Sequence, residues 1–156
     1  MKKINFITAG ISIMMLILVS CGGGYNTDYA PPGEKAKLTE VFPAEIAGEK
    51  ADIQKLTDVE NSIAFKATYG ETTIISVMQF KNKAEADAYF KAEIVPVFDE
   101  MSSHSRAQVN GKWYAKGTDD SGNHYAWANN NWIFGIYAKD KKDFSRAVDA
   151  FKYISN

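Results

Sequence analysis

NSIAFKATYGETTIISVMQFK, residues 61–81, holds two strands and the turn between them. Ile63, Phe65 and Ala67 alternate with Ser62, Ala64 and Lys66, the two-residue period of a half-buried strand. Gly70-Glu71 then makes a tight turn. In the following run, Thr72 to Lys81, Ile74, Ile75, Val77, Met78 and Phe80 leave little polar alternation, which reads as a central strand covered on both faces.

Working outward, Asn82 is a good helix N-cap. Glu85 stands at the third helical position, as in a capping box. Ala86, Phe90, Ile94 and Val97 recur at helical spacing with Tyr89 beside them, while Glu85, Asp87, Lys91 and Glu93 lie mostly elsewhere. Pro96 falls inside this pattern and should kink or end the helix. Residues 102–106 read as a polar connection, followed by strands over 107–116, 123–129 and 131–139. The cluster Asp119-Asp120-Ser121-Gly122-Asn123 supplies one turn and Asn129-Asn130-Asn131 the next. Asp140 caps a last helix, whose core face is Phe144, Ala147, Val148, Phe151 and Ile154. On the other side of the opening stretch, residues 49–56 read as a strand. Leu38, Val41, Phe42 and Ile46 are spaced like one face of a short helix, interrupted at Pro43 and closed by Gly48.

Ile74 to Ile94 and Ile133 to Ile154 echo each other as strand, polar cap and amphipathic helix. Each half reads as a hairpin followed by a helix. The expected architecture is therefore α+β, an antiparallel sheet with two helices packed on one face. In outline this order resembles ferredoxin-like and PsbP-like folds, a likeness that carries no function.

Of the 156 residues, 46% are hydrophobic and 24% charged, the usage of an ordinary globular chain. Length is a prior for one domain, placed at 37–156. Acidic side chains number 19 and basic ones 18, so there is no electrostatic footprint for nucleic acid.

The single cysteine excludes an intrachain disulfide and directs attention to the N-terminus. Lys2 and Lys3 precede an uncharged, apolar run from Ile4 to Val19, the layout of a secretory signal over residues 1–20. Leu18-Val19-Ser20-Cys21 resembles the lipobox of bacterial lipoproteins. That resemblance implies a diacylglyceryl group on the Cys21 sulfur, cleavage before Cys21 and a place in the bacterial cell envelope. Gly22, where an aspartate often retains members of that family on the inner membrane, favours the outer membrane if the organism is Gram-negative. The implied partner is the membrane itself, through the N-terminal lipid. Residues 21–36 are rich in glycine, proline and polar side chains and read as a lipidated flexible tether of about 20 Å reach. Tyr25 and Tyr29 are expected to be exposed on this mobile arm.

Motifs for chemistry are scarce. His104 and His124 are the only histidines. With Gly122 at the sixth position of a calcium loop, Gly117 and Ala128 would occupy the first and twelfth, where aspartate and glutamate are required. No nucleophile elbow, phosphate loop or dinucleotide fingerprint is present. The expected role is non-catalytic, with no cofactor, no metal and no catalytic residue.

The remaining constellation is aromatic. Trp113, Tyr114, Tyr125, Trp127, Trp132, Phe134 and Tyr137 lie on three neighbouring strands. Tyr125 and Trp127 share a face, and a two-residue Asn turn would bring Trp132 and Phe134 onto it, whereas a three-residue turn would not. Two readings stay open: a core packed against helices, or an exposed strip of Tyr125, Trp127 and Trp113 that binds an envelope protein or small ligand. The accompanying expectation is a non-catalytic binding or accessory domain. The alternative is a small-molecule or lipid carrier with a pocket between sheet and helices.

Overall fold

The computed structural model describes residues 24–156 apart from Glu34, so the signal and Cys21 lie outside the described residues. These residues form an eight-stranded antiparallel sheet with helices, an α+β fold. The strands are β1 (Glu45–Ile46), β2 (Glu49–Leu56), β3 (Ser62–Tyr69), β4 (Thr73–Phe80), β5 (Ser103–Val109), β6 (Lys112–Asp119), β7 (Gly122–Asn129) and β8 (Trp132–Ala138). Their order is β1-β2-β3-β4-β8-β7-β6-β5, two meanders joined through their last strands. The predicted hairpin-helix units are thus four strands followed by a helix.

The helices are α1 (Lys83–Tyr89), α2 (Val95–Asp99) and α3 (Lys141–Ala150). Asn82 caps α1: its side chain accepts from the Glu85 N–H and donates to the Glu85 carboxylate, both at 2.9 Å. Asp140 caps α3 by accepting from the Lys142 and Asp143 N–H groups. The break expected near Pro96 is a π-helical segment, Phe90–Ile94, that joins α1 to α2. Proline at position 96 has no N–H to return to the preceding turn, and the widened turn absorbs that loss.

The helices do not share a face of the sheet, which corrects the expected arrangement. The face bearing Ile75, Val77, Tyr125, Trp127, Phe134 and Ile136 packs against Phe144, Ala147 and Val148 of α3 and against Phe151 and Ile154, which were expected on the helix but follow its end at Ala150. The opposite face bears Ala115, Ala126, Ala128 and Ile133, which pack against Ala86, Phe90 and Phe98. The physical reason is legible in the strands. In β4, β7 and β8 both alternating sets of side chains are apolar or small, so each face needs its own cover. The internal echo is consequently not a symmetry of the fold. A twofold axis normal to the sheet would put both helices on the same side.

Turn chemistry sets the register. Asn129 pairs with Trp132, so the Asn turn has two residues, with Asn130 at φ 55°. That aligns Trp127 with Phe134 and brings Tyr125, Trp127, Trp132 and Phe134 onto one face, while Tyr137 lies on the other, beside His124. The span 107–116, expected to be one strand, is a hairpin. Asn110 (φ 51°) and Gly111 (φ 74°) turn the chain between β5 and β6. Asn-Gly is the preferred pair for positive φ at both central residues. The polar segment 102–106, expected to be a connection, mostly belongs to β5, an exposed edge strand.

Gly122 opens β7 at φ 152°, where a Cβ would stand 2.4 Å from the Ala138 carbonyl oxygen and 2.8 Å from the Lys139 Cα. Both neighbours are backbone and cannot yield by a rotamer change. Gly122→Ala is expected to lower stability by about 1–3 kcal/mol. A urea transition shifted to a lower midpoint at unchanged slope would show it.

The arm expected to be mobile is, from Tyr25 onward, packed on the domain. Asn26 pairs with Ser155 through two backbone hydrogen bonds of 2.9 and 3.0 Å. Tyr25 packs on Tyr125 and Phe144 at ring separations of 4.9 and 5.8 Å. The Asp28 carboxylate pairs with Lys112 at 2.7 Å, and the Tyr29 carbonyl accepts from Asn129 at 2.6 Å. Composition suggested a free chain, but two tyrosines with an aromatic surface to cover outweighed it.

Candidate functional site

The predicted aromatic strip is neither exposed nor continuous. Trp127 is 0% and Tyr125 2% exposed, beneath α3 and the N-terminal segment. Trp113 points to the opposite face, where it is half-buried against Phe90 with the Lys91 ammonium 5.2 Å from its ring centre. The three residues therefore do not form one binding surface. The sequence left core and surface both open; the cover that decides between them comes from distant residues.

Among the described residues, a concavity lies instead at the end of the sheet where β4 finishes and α1 begins. It has a volume of about 570 Å³. The link between β2 and β3 supplies one wall, with Asp58, Glu60 and Asn61. The other wall is helical: Glu85, Ala88 and Tyr89 from α1, then Ala92 and Glu93 from the π segment. Their spacing puts them along one helix face. Phe80 forms the floor, its ring 5.1 Å from that of Tyr89. Two hydrogen bonds of 2.8 Å, from the Phe80 N–H to the Asn131 carbonyl and from the Asn131 side chain to the Phe80 carbonyl, fix this floor.

Four carboxylates line this groove, and no lysine or arginine does among the described residues. The phenol of Tyr89 is raised above its ordinary pKa, first by burial and then by Glu93 and Asp58. The field at the groove is thus negative above an aromatic floor. Such a site favours cations, by charge and by the face of an aromatic ring. In the sequence, Glu85 and Glu93 lie mostly off the apolar face of the helix. Their spacing around Tyr89 was visible; that Asp58 and Glu60 stand opposite was not.

A second, smaller cleft of about 180 Å³ lies between the sheet and the helical layer, among Ile74, Met78, Ile94, Phe98, Ile133 and Tyr137. It is apolar and opens over Gly135 and Ser76, which are paired across β8 and β4.

Asp119, Ser121 and His124 meet at the β6–β7 turn, but not as a catalytic triad. The Ser121 hydroxyl donates to Asp119 at 2.6 Å, and the His124 Nε2 lies 3.3 Å from Asp119 and 3.2 Å from Ser121. A triad needs the imidazole between serine and carboxylate, one nitrogen for each. Here one nitrogen faces both. Asp119 also accepts from the Ser121 and Gly122 N–H groups, so its carboxylate is committed to the turn. These bonds, led by the Ser121 hydroxyl, hold its pKa at about 2 instead of the ordinary 3.8. A carboxyl depressed in the folded state stabilises it above the unfolded value and loses that contribution as pH falls toward about 2. Asp119→Asn is expected to reduce the loss of stability between pH 4 and pH 2, as followed by urea midpoints across that window. An acid limb equal to that of the unchanged protein would contradict it.

Among the described residues no group of three or more histidine, cysteine, aspartate or glutamate side chains is arranged to hold a metal ion, and no helix is long and apolar enough to cross a membrane. Comparison with protein-family models, with curated proteins and with solved structures finds no match.

Proposed function

We propose that this chain is a lipid-anchored protein of the bacterial cell envelope, and that its domain is a non-catalytic binding module for a positively charged partner. The observation that carries the binding role is the groove at Tyr89, with four carboxylates around an aromatic floor and no cation among its lining residues. Its volume of about 570 Å³ falls within the range of small-ligand and side-chain pockets, about 300–1,000 Å³. The favoured occupant is a basic protein segment, whose lysines or arginines would meet Asp58, Glu60, Glu85 and Glu93 while an apolar side chain covers Phe80 and Tyr89.

The anchor is supported by the lipobox resemblance at Leu18-Val19-Ser20-Cys21. One acyl chain gives marginal attachment, and two or more hold a protein stably at about 0.8 kcal/mol per buried methylene. Anchoring of this kind needs no apolar docking face on the domain.

A carrier of small molecules or lipids is the second reading, favoured by the apolar cleft beneath Ile94 and Phe98. At about 180 Å³ that cleft is smaller than sites that enclose a ligand of drug size, about 300 Å³ and above. The groove is therefore the preferred site.

The test is titration of the protein with a tryptophan-containing oligolysine peptide and with its oligoglutamate counterpart. Saturable binding of the first alone is expected, weakening with salt. The double variant Asp58→Asn, Glu93→Gln should lose most of that affinity without a change in thermal stability. Equal binding by the variant would eliminate the groove as the site. For the anchor, Cys21→Ala is expected to abolish acyl labelling and release the protein from membranes, read by fractionation and intact mass.

A further inference from the structure

Given the lipid anchor proposed above, on which this inference rests, we infer that the domain is clamped at a set orientation on the membrane, with the acidic groove at the end facing away from the lipid. The partner surface is a lipid headgroup layer. The membrane-facing end carries the β3–β4 turn, the β6–β7 turn and the start of α3.

The argument comes from the N-terminal segment. Tyr29 is bonded at Asn129, and Asp28 at Lys112. Tyr25 stands further along the same two strands, over Tyr125 and beside Lys116. Lys116 and Tyr125 are paired neighbours in β6 and β7. Read toward the N-terminus, the chain therefore runs along β6 and β7 away from Asn129 and toward the Asp119–Gly122 turn. The Asn26–Ser155 pairing and the hydrogen bond of 2.9 Å from the Tyr29 hydroxyl to Ser155 fasten it to the C-terminal segment after α3.

Cys21 precedes Tyr25 by four positions. At no more than about 3.6 Å per residue, its Cα lies within about 14 Å of that of Tyr25. An eight-residue strand is about 27 Å long. The membrane must then approach the domain near Tyr25. To reach even the level of Asn129, the four residues would have to double back fully extended.

The groove belongs to the opposite end. Phe80 ends β4 and is paired with Ser62 at the start of β3, and Trp132 is paired with Asn129 at the far limit of β7. The membrane-facing end mixes Lys139, Lys141 and Lys142 with Asp120, Asp140 and Asp143. With both signs present, the short leash orients the domain and surface charge does not.

Full-length lipidated protein would be reconstituted into phosphatidylcholine vesicles that contain a headgroup nitroxide lipid. With Cys21 held in a thioether, a thiol introduced by Asp120→Cys or by Ala84→Cys takes a fluorophore selectively. Both positions are exposed, one at the β6–β7 turn and the other on α1 beside the groove. Loss of most emission at position 120, and little at 84, is expected. Adding Tyr25→Ser with Asp28→Ala should equalise the two positions while the unfolding transition remains cooperative. Equal quenching before those changes, or stronger quenching at 84, in protein whose mass includes acyl groups on residue 21 would overturn the orientation. An unequal pattern that survives them would overturn the clamp. A mass without acyl groups would instead overturn the anchor, and the orientation with it.

Discussion

Trp127→Ala is expected to cost about 3–5 kcal/mol of stability, enough to unfold much of a typical domain at physiological temperature. Trp127 is wholly buried, with its ring centre 5.2 Å from that of Phe134, 5.6 Å from Tyr125 and 6.0 Å from Phe151. Truncation would open a cavity between β7 and α3 that a close-packed aromatic layer cannot collapse to fill. Chemical denaturation, or loss of a cooperative melt, measures it. Trp127→Phe separates the packing contribution from the polar one. The indole N–H has no acceptor among the described residues, and a buried unmet donor costs about 1–3 kcal/mol. Phenylalanine removes that penalty while it keeps most of the ring contacts. It should therefore cost much less than alanine. An exposed Trp127 would show a loss within about 0.5 kcal/mol for either substitution.

Phe90→Ala should be comparably severe, about 3–5 kcal/mol, on the other side of the sheet. Phe90 is fully buried where α1 passes into the π segment, in the cluster with Ala115, Ala126 and Ala128. These small residues admit the helix closely, so the phenyl ring fills the space they leave. The pair of sites also tests the layer arrangement. The milder substitutions Phe90→Leu and Phe151→Leu lie on opposite faces and should add to within about 0.5 kcal/mol in the double variant. A larger coupling would place the two rings in one core and contradict the three-layer packing.

Much of the fold was legible in local sequence. The alternation in residues 61–69, the apolar run over 72–81, the Asn82 and Asp140 caps and the Phe144, Ala147 and Val148 part of the α3 core face are all local signals, readable without knowing what lies across the fold. Asn110-Gly111 was legible too, as a hairpin pair, and reading through it merged two strands into one. The apolar character of both faces of β4 likewise announced a sheet covered twice, a consequence that the one-face arrangement ignored.

The candidate site was less legible. Glu85, Tyr89 and Glu93 follow helical spacing, but carboxylates on an amphipathic helix ordinarily face water and signal nothing. They become a site only when Asp58 and Glu60 are brought opposite, and that depends on the β3–β4 register, which sets Ser62 against Phe80, and on the face of the sheet that α1 then covers. The burial of Tyr125 and Trp127 has the same origin, since α3 and the segment from Tyr25 to Tyr29 provide the cover.

By itself the sequence determined β3, β4, the caps at Asn82 and Asp140, the α+β class and the lipobox-like run ending at Cys21, because each depends on neighbours within a few residues. Its helical spacing around Ile46 misled, since Glu45–Ile46 is a strand. Tertiary structure alone decided which face each helix covers, that Tyr25 and Tyr29 are packed, and that four carboxylates surround Phe80 and Tyr89. Those outcomes are set by the competition among distant apolar surfaces for cover, a balance that no local pattern contains.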